Sequence, residues 1–285
     1  MMQKPEHGRN MTETGKSRLL IKMMLAGIII CLAAFDGSSA WAYKRIVVLY
    51  PAVSPILIEL GALDMIVGTT RSDHAVKDAV KVGSHLRPNI ELLNALAPDL
   101  IIAGSQRAFP REMEQRVKAA DILYYNPVTL DEILAKIRKI GDMLERRDRA
   151  EKLVLRLKKR LEDIRPLPAE PSVIYEVMAE PLRVAGEKSI VTSIVSAAGG
   201  RNLVKIDRKH AVISTEKVLQ LRPDFYIYQV GPMNKNPVPP GERPFYKSLK
   251  AEFVKVDELE FARPGINAFD AAVNLNRIFL GAGHE

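Results

Sequence analysis

The chain has 285 residues, with 42 Lys/Arg against 34 Asp/Glu and a formal net charge of +8. That length suits one large domain or two modest ones. Its one cysteine, Cys31, falls in an N-terminal leader, which excludes a disulfide framework and thiolate chemistry downstream. The basic balance attracts anions, but no basic run is interleaved with aromatics in the manner of a nucleic-acid-binding motif.

Residues 1–42 read as a secretory signal. Lys16, Arg18 and Lys22 precede an apolar run from Met23 to Phe35, and Ala40-Trp41-Ala42 has the small-x-small spacing of a signal peptidase site. The run is shorter than the roughly 20 residues that span a bilayer, so cleavage before Tyr43 is expected rather than a retained anchor. Ile30 stands where a lipidated Cys31 would need a small neighbour, so lipoprotein anchoring is not expected. The exported chain, 43–285, then has 243 residues, 37 basic and 31 acidic for a net +6, and no tryptophan.

Lys44–Tyr50 reads as a buried strand stopped by Pro51, Ser54–Leu60 as a helix ended by Gly61, and Met65–Val67 as a second strand closed by Gly68. A helix over about 89–96 and strands over Leu100–Ala103 and Asp121–Tyr125 follow. Thr129 and Glu132 have capping-box spacing, and Ile133, Ile137, Ile140 and Leu144 lay one apolar stripe on the helix they open. Asp148 and Glu151 repeat the capping signal. Ala150, Leu153, Val154, Leu157, Leu161 and Ile164 keep a helical period through 148–165, until Pro166, Pro168 and Pro171 end it.

The alternation then restarts. Val173–Val177 is a strand, Ser189–Ala198 a helix closed by Gly199-Gly200, and Phe225–Val230 a strand. A proline-rich loop from Gly231 to Arg243 leads to a strand at Phe253–Val256 and a terminal helix from Pro264-Gly265 to about Leu280. Strands alternating with helices predict an α/β fold with mainly parallel sheets: an N-terminal lobe at 43–147, a connecting helix at 148–165 and a C-terminal lobe at 166–285.

One segment occurs twice. Glu91-Leu-Leu-Asn-Ala-Leu-Ala-Pro98-Asp99 leads into Leu-Ile-Ile-Ala, and Glu216-Lys-Val-Leu-Gln-Leu-Arg-Pro223-Asp224 leads into Phe-Tyr-Ile-Tyr. In each, a helix breaks at proline and an apolar strand follows, with a glutamate in the first helical turn. Enzyme signatures are missing: there is no G-x-S-x-G, H-E-x-x-H or G-x-G-x-x-G, and Gly186-Glu187-Lys188-Ser189 lacks the upstream glycine of a phosphate loop.

Further marks occur in order: Leu60-Gly61-Ala62, Ile66-Val67-Gly68, Val82-Gly83, Ala185-Gly186 and Ala198-Gly199-Gly200-Arg201-Asn202. With the repeated segments, these make 43–285 resemble the periplasmic substrate-binding proteins that carry ferric siderophores, haem or cobalamin to ABC importers. The resemblance implies two Rossmann-like lobes bridged by a single long α-helix, with a ligand cleft between the lobes that closes little. It also implies that Glu91 and Glu216 dock onto arginines of the membrane permease. An ordinary acid in a first helical turn is the other reading for each.

In haem-binding relatives the loop that matches Ser84-His85-Leu86-Arg87-Pro88 can supply an iron ligand. A relative's tyrosine falls near Ser84, leaving His85 as the candidate here. His74 is on the cleft side in relatives, and His210, before the second repeat, could face the same cavity. Arg71, Arg87, Arg107, Arg183 and Arg208 lie in loops that relatives turn toward the cleft, and guanidinium groups suit carboxylate or catecholate oxygens. Tyr50 and Pro51 follow the first strand, where ligands of open α/β sheets sit. A solvated surface is the other reading for each histidine and arginine, and core packing for Tyr50.

The reading is therefore a non-enzymatic, exported receptor located in the periplasm. It is a monomer that hands a metal chelate to an ABC permease and its ATPase, with no resident cofactor and no nucleic-acid partner; the ligand itself contains iron or cobalt. Two alternatives stay open. A receptor for bare Zn or Mn would need His74, His85 and His210 to converge with a carboxylate. An exported enzyme or sensor would show paired groups of shifted pKa in the cleft.

Overall fold

The computed structural model describes Met1 and residues 43–281. The leader reading of 1–42, with Cys31, and the C-terminal His284 lie outside the described residues. Strand β1 (Ile46–Val48) is the centre of the first sheet, and all three of its side chains are fully buried. Helix α1 (Ser54–Glu59) follows with Pro55 in its first turn, where a missing N–H costs nothing. Then come β2 (Ile66–Thr69), β3 (Val80–Lys81), α2 (Ile90–Leu96), β4 (Leu100–Ala103), α3 (Arg111–Glu114) and β5 (Asp121–Tyr124). The five strands are parallel in the order β3-β2-β1-β4-β5. Order reverses beside β1, so the loops after β1 and β4 open a crevice at the strand C-termini.

Two antiparallel helices follow, α4 (Leu130–Met143) and α5 (Arg147–Leu161). Thr129 caps α4 by accepting from Glu132 N, while the Glu132 carboxylate accepts from Val128 N, much as its capping-box spacing predicts. The two helices are tied by Arg138–Glu151 at 2.6 Å and Arg147–Asp142 at 2.7 Å. Helix α5 spans about 22 Å at 1.5 Å per residue and holds both halves. Arg149 donates to Leu60 O and Arg156 pairs with Glu59 at the N-terminal end of the molecule, while Arg160 pairs with Asp270 of the C-terminal half. It ends at Leu161, and residues 162–165 of the expected 148–165 helix continue as a turn and extended chain. Arg165 N still donates to Asn276 Oδ1.

The second half contains β6 (Ser172–Met178), β7 (Arg183–Ala185), α6 (Ile190–Ala197), β8 (Arg201–Asn202), β9 (His210–Val212), α7 (Thr215–Leu221), β10 (Phe225–Val230), β11 (Glu252–Asp257), α8 (Glu258–Phe261) and α9 (Asn267–Gly281). Its sheet runs β11-β10-β6-β7-β9, with β8 beside β6. The pairings are parallel except that β7 is antiparallel to both neighbours.

Residues 43–281 belong to one compact unit. A single apolar core joins Ile46, Leu100 and Leu123 of the first sheet to Ile137 of α4, Val154 of α5, and Val173, Ile194 and Phe269 of the second half.

Candidate ligand cleft

The repeated segment builds the same device in both halves. Asn89 caps α2 by accepting from Leu92 N, and Ser214 caps α7 by accepting from Lys217 N. Both helices end in a left-handed residue, Ala97 at φ 43° and Arg222 at φ 45°. The aspartate after each proline then latches the first strand of its own half. Asp99 accepts from the backbone N–H of Lys44 and Arg45, and Asp224 accepts from Ser172 N at 2.7 Å and Ser172 Oγ at 2.6 Å. The hydrogen bond from Ser172 leads the effects holding the Asp224 carboxyl below its usual range. Glu91 and Glu216 both occupy the second helical position and both are exposed. The hydrogen bond from Ser214 holds the Glu216 carboxyl low.

The halves meet where the first sheet ends. Tyr125, fully buried, donates to Pro264 O at 2.7 Å, and Leu130 N donates to Ser193 Oγ at 3.1 Å. The Tyr50 ring lies 6.2 Å from that of Tyr125, tilted by 44°. A side chain at Gly104 would press on the Tyr50 ring, which explains a glycine after β4. Burial pushes the Tyr50 hydroxyl up to about 12, against the pull of Arg263. Half-buried Tyr50 thus packs against the seam as well as bordering the crevice, while Pro51, also half-buried, starts the turn into α1.

His85, in the loop after β3, has its pKa lowered by burial, then by Lys209 and by Arg263 of the opposite half. His210, which opens β9, is lowered to about 4 by burial, then by Lys209 and Arg183. Lys209 thus bears on both His85 and His210, and Arg263 on both His85 and Tyr50. Neither cation is evident in the sequence as a site residue; the available signals were the unbroken basic run Arg208-Lys209-His210 and an arginine directly before Pro264-Gly265.

The loop from Ser84 to Arg87 is a tight turn closed by Arg87 N donating to Ser84 Oγ, with His85 exposed at its tip. Arg71 N donates to Gly83 O, fixing the Arg71 loop beside it. The side chains of Arg71, His74, Arg87, Arg107 and Arg208 are exposed. His74 follows Asp73, which is buried and accepts from Ser54 Oγ at 2.5 Å. Among the described residues no group of three or more His, Cys, Asp or Glu is placed to hold a metal ion. The convergence required of a bare-metal receptor is thus missing there. Burial comes first in lowering the pKa of both His85 and His210, and it favours the neutral imidazole.

The C-terminal half adds a concavity of about 840 Å³ between the turn after β6 and the loop after β10, lined by Met178, Leu182, Met233, Val238, Phe245 and Tyr246 among others. Its base is a buried network. Glu176, 0% exposed, accepts from Arg243 Nη1 and Nη2 at 2.6 and 2.9 Å, Tyr226 Oη at 2.6 Å and Asn234 Nδ2 at 3.3 Å. Glu258 accepts from Met233 N, so the same loop is tied to α8, next to Arg263.

Residues 46–238 match the family model described as periplasmic binding protein. The chain belongs to that family. The high-affinity heme uptake system protein IsdE of Staphylococcus aureus is 25% identical over 224 residues, covering 73% of this chain and 75% of that protein. Its heme complex superposes with a TM-score of 0.74 at 22% identity, over 83% of this chain and 98% of that one. The periplasmic vitamin B12 binding protein BtuF of Vibrio cholerae gives 0.72 at 22% identity, over 86% and 99%. The periplasmic heme-binding protein BhuT, in complex with two hemes, gives 0.72 at 22% identity, over 84% and 98%. The expected place in the siderophore, haem and cobalamin class, with two lobes about a cleft, is thereby shown. Members of this family are extracytoplasmic binding proteins, and among the described residues no helix is long and apolar enough to cross a membrane.

Proposed function

We propose that this protein captures haem, or a closely similar anionic metal chelate, in the cleft and delivers it to an ABC permease driven by its ATPase. The observation that carries the reading is His85. It is exposed at the tip of the turn after β3, at the strand C-terminal side where open α/β sheets hold ligands, and its pKa is lowered by burial, then by Lys209 and Arg263. An imidazole nitrogen suits haem iron, and the surrounding positive charge suits an acidic chelate. The seam bond from Tyr125 and the ion pairs of α5 favour a cleft that is largely pre-formed. Arg71, His74, Arg87, Arg183, Arg208 and His210 complete the walls in this reading.

Titration with haemin, ferric siderophores and cobalamin under visible absorption tests it. A shifted Soret band that weakens in His85→Ala supports haem with His85 as axial ligand. Saturable binding of cobalamin or a ferric siderophore with no haemin response refutes haem.

Glu91 and Glu216, matched in position and both exposed, dock on the permease, where rim charges set register and on-rate. Removing both lowers uptake in cells while ligand affinity stays unchanged; loss of affinity instead moves them into the ligand site. The protein reaches the periplasm as a monomer after cleavage before Tyr43, which the mass of the exported chain checks.

A further inference from the structure

Three loops leave the first sheet near the crevice, and one cluster of polar side chains ties them together. Val48 and Thr69 pair at the ends of β1 and β2, so the loop with Tyr50 and Pro51 and the loop with Arg71 and His74 start side by side. The third is the Ser84–Arg87 turn after β3, with His85 at its tip. Residues 70–79, between β2 and β3, have no helix or strand of their own, and only Thr70, Asp73, Val76 and Ala79 among them are buried. So little apolar anchoring leaves the loop's shape to its hydrogen bonds.

Two ties supply that shape. Asp73, 2% exposed, accepts from Ser54 Oγ at the start of α1 at 2.5 Å, and its other oxygen accepts from Ala75 N at 3.0 Å. Lys81 forms the second tie. Its ammonium donates to Thr69 Oγ1 at 2.9 Å, Asp73 O at 2.9 Å and Val76 O at 2.7 Å, which uses all three of its hydrogens. The two carbonyls belong to the loop itself, and a bond from a charged donor is about twice as strong as a neutral one. Val82 and Gly83 follow Lys81 directly. Val82 N donates to Thr69 O and Gly83 O accepts from Arg71 N, which carries the tie into the His85 turn.

We propose that Ser54, Asp73 and Lys81 are positioning residues that clamp the 70–79 loop against the Tyr50 and His85 loops, so that the N-terminal wall of the crevice is set before a ligand arrives. The assignment rests on the chelate-receptor reading above and adds to it the residues that pre-form one wall. With the clamp closed, no ordering of this loop opposes binding. With the clamp broken, the apparent dissociation constant rises as the inverse of the fraction of molecules that keep the loop closed.

Hydrogen exchange of the ligand-free protein, combined with titration by haemin, a ferric tricatecholate and cobalamin, tests it. In Lys81→Met, which keeps the apolar stem and removes the ammonium, the amides of Arg71, Asp73 and Ala75 should lose most of their protection and regain it when ligand is added. The dissociation constant of each probe that binds the wild type should rise about 5- to 20-fold. Asp73→Leu should behave in the same way. Asp73→Asn, which keeps an oxygen for Ala75 N and a polar partner for Ser54, should stay within about 3-fold of wild type. Ser54→Ala, which deletes a single oxygen, should shift exchange and affinity in the same direction, and it decides the matter by both measurements if Lys81→Met does not fold. Folded variants that bind as the wild type does, whatever their stability, overturn the proposal and leave the receptor reading intact. So does unchanged exchange over 70–79, or an Asp73→Asn as impaired as Asp73→Leu. Failure of all three probes to bind the wild type overturns the receptor reading and the clamp together.

Discussion

Replacing Arg243 by leucine gives the sharpest test of how the C-terminal half is held together. The side chain is 14% exposed, and its guanidinium supplies two of the four hydrogen bonds to Glu176, which is 0% exposed. Breaking a buried pair from one side costs about 3–5 kcal/mol, because the remaining charge stays in the interior. Tyr226 and Asn234 remain as donors, and water can reach the partly open arginine site, which puts the expected loss near the lower bound, about 3 kcal/mol. For a chain of this size that corresponds to a fall in Tm of about 6–12 °C. Urea unfolding followed by circular dichroism measures it. In Glu176→Gln/Arg243→Leu the buried charge is gone, and at least about 1 kcal/mol should return. Hydrogen exchange over 233–246 should accelerate in the single variant, because the loop loses its tie to the sheet. A loss below about 1 kcal/mol, or no recovery in the double variant, refutes the claim that this pair secures the loop.

Asp224→Ala removes the latch on β6 and should cost about 1–2 kcal/mol in urea unfolding, with Asp99→Ala costing a similar amount through Lys44 and Arg45. Ala97→Gly relieves a left-handed φ of 43° and should stabilise by about 0.5–1 kcal/mol, measured in the same way. His210 makes stability depend on pH. Its folded value of about 4 lies below the ordinary 6.5, so the unfolded chain binds the extra proton between them. Stability is therefore full above about pH 6.5, falls as the pH drops toward 4 and levels off below. The unscreened shift amounts to about 3 kcal/mol, which partial exposure reduces to about 1–2 kcal/mol. In His210→Gln this part of the pH slope disappears from urea midpoints taken between pH 4 and 7.

The elements that were legible in the sequence are those buried on both sides or striped at a helical period. Strands β1, β4, β6 and β10 are apolar runs because both faces meet helices, and α4 and α5 each carry one apolar stripe. The shortest strands were not legible. Strand β3 has two residues, and β7 and β9 have three each, with Arg183 exposed and Val212 66% exposed, so no period of two can build up. The repeat was plain, but its aspartates as latches were not, since their partners are 55 and 52 residues away. For the cleft, His85 and His210 stood out as candidates by residue type and by the place of their loops in the family resembled. Lys209 and Arg263 did not, because a lysine or arginine in a loop is ordinary in so basic a chain. Glu176 left a signal that could have been used: an acid in the middle of the apolar run Val173–Val177 calls for a buried cation, which Arg243 supplies from 67 positions later.

The apolar core that runs without interruption from β1 through α4 and α5 to α9 has an evolutionary consequence. Neither half, severed at the prolines after α5, would be a self-sufficient folding module, because each would bare the oily flank that the other now covers. Recombination between relatives should therefore tolerate exchange of rim loops far better than exchange of whole halves. New ligand preferences in this lineage should arise by rewriting those loops over an inherited scaffold.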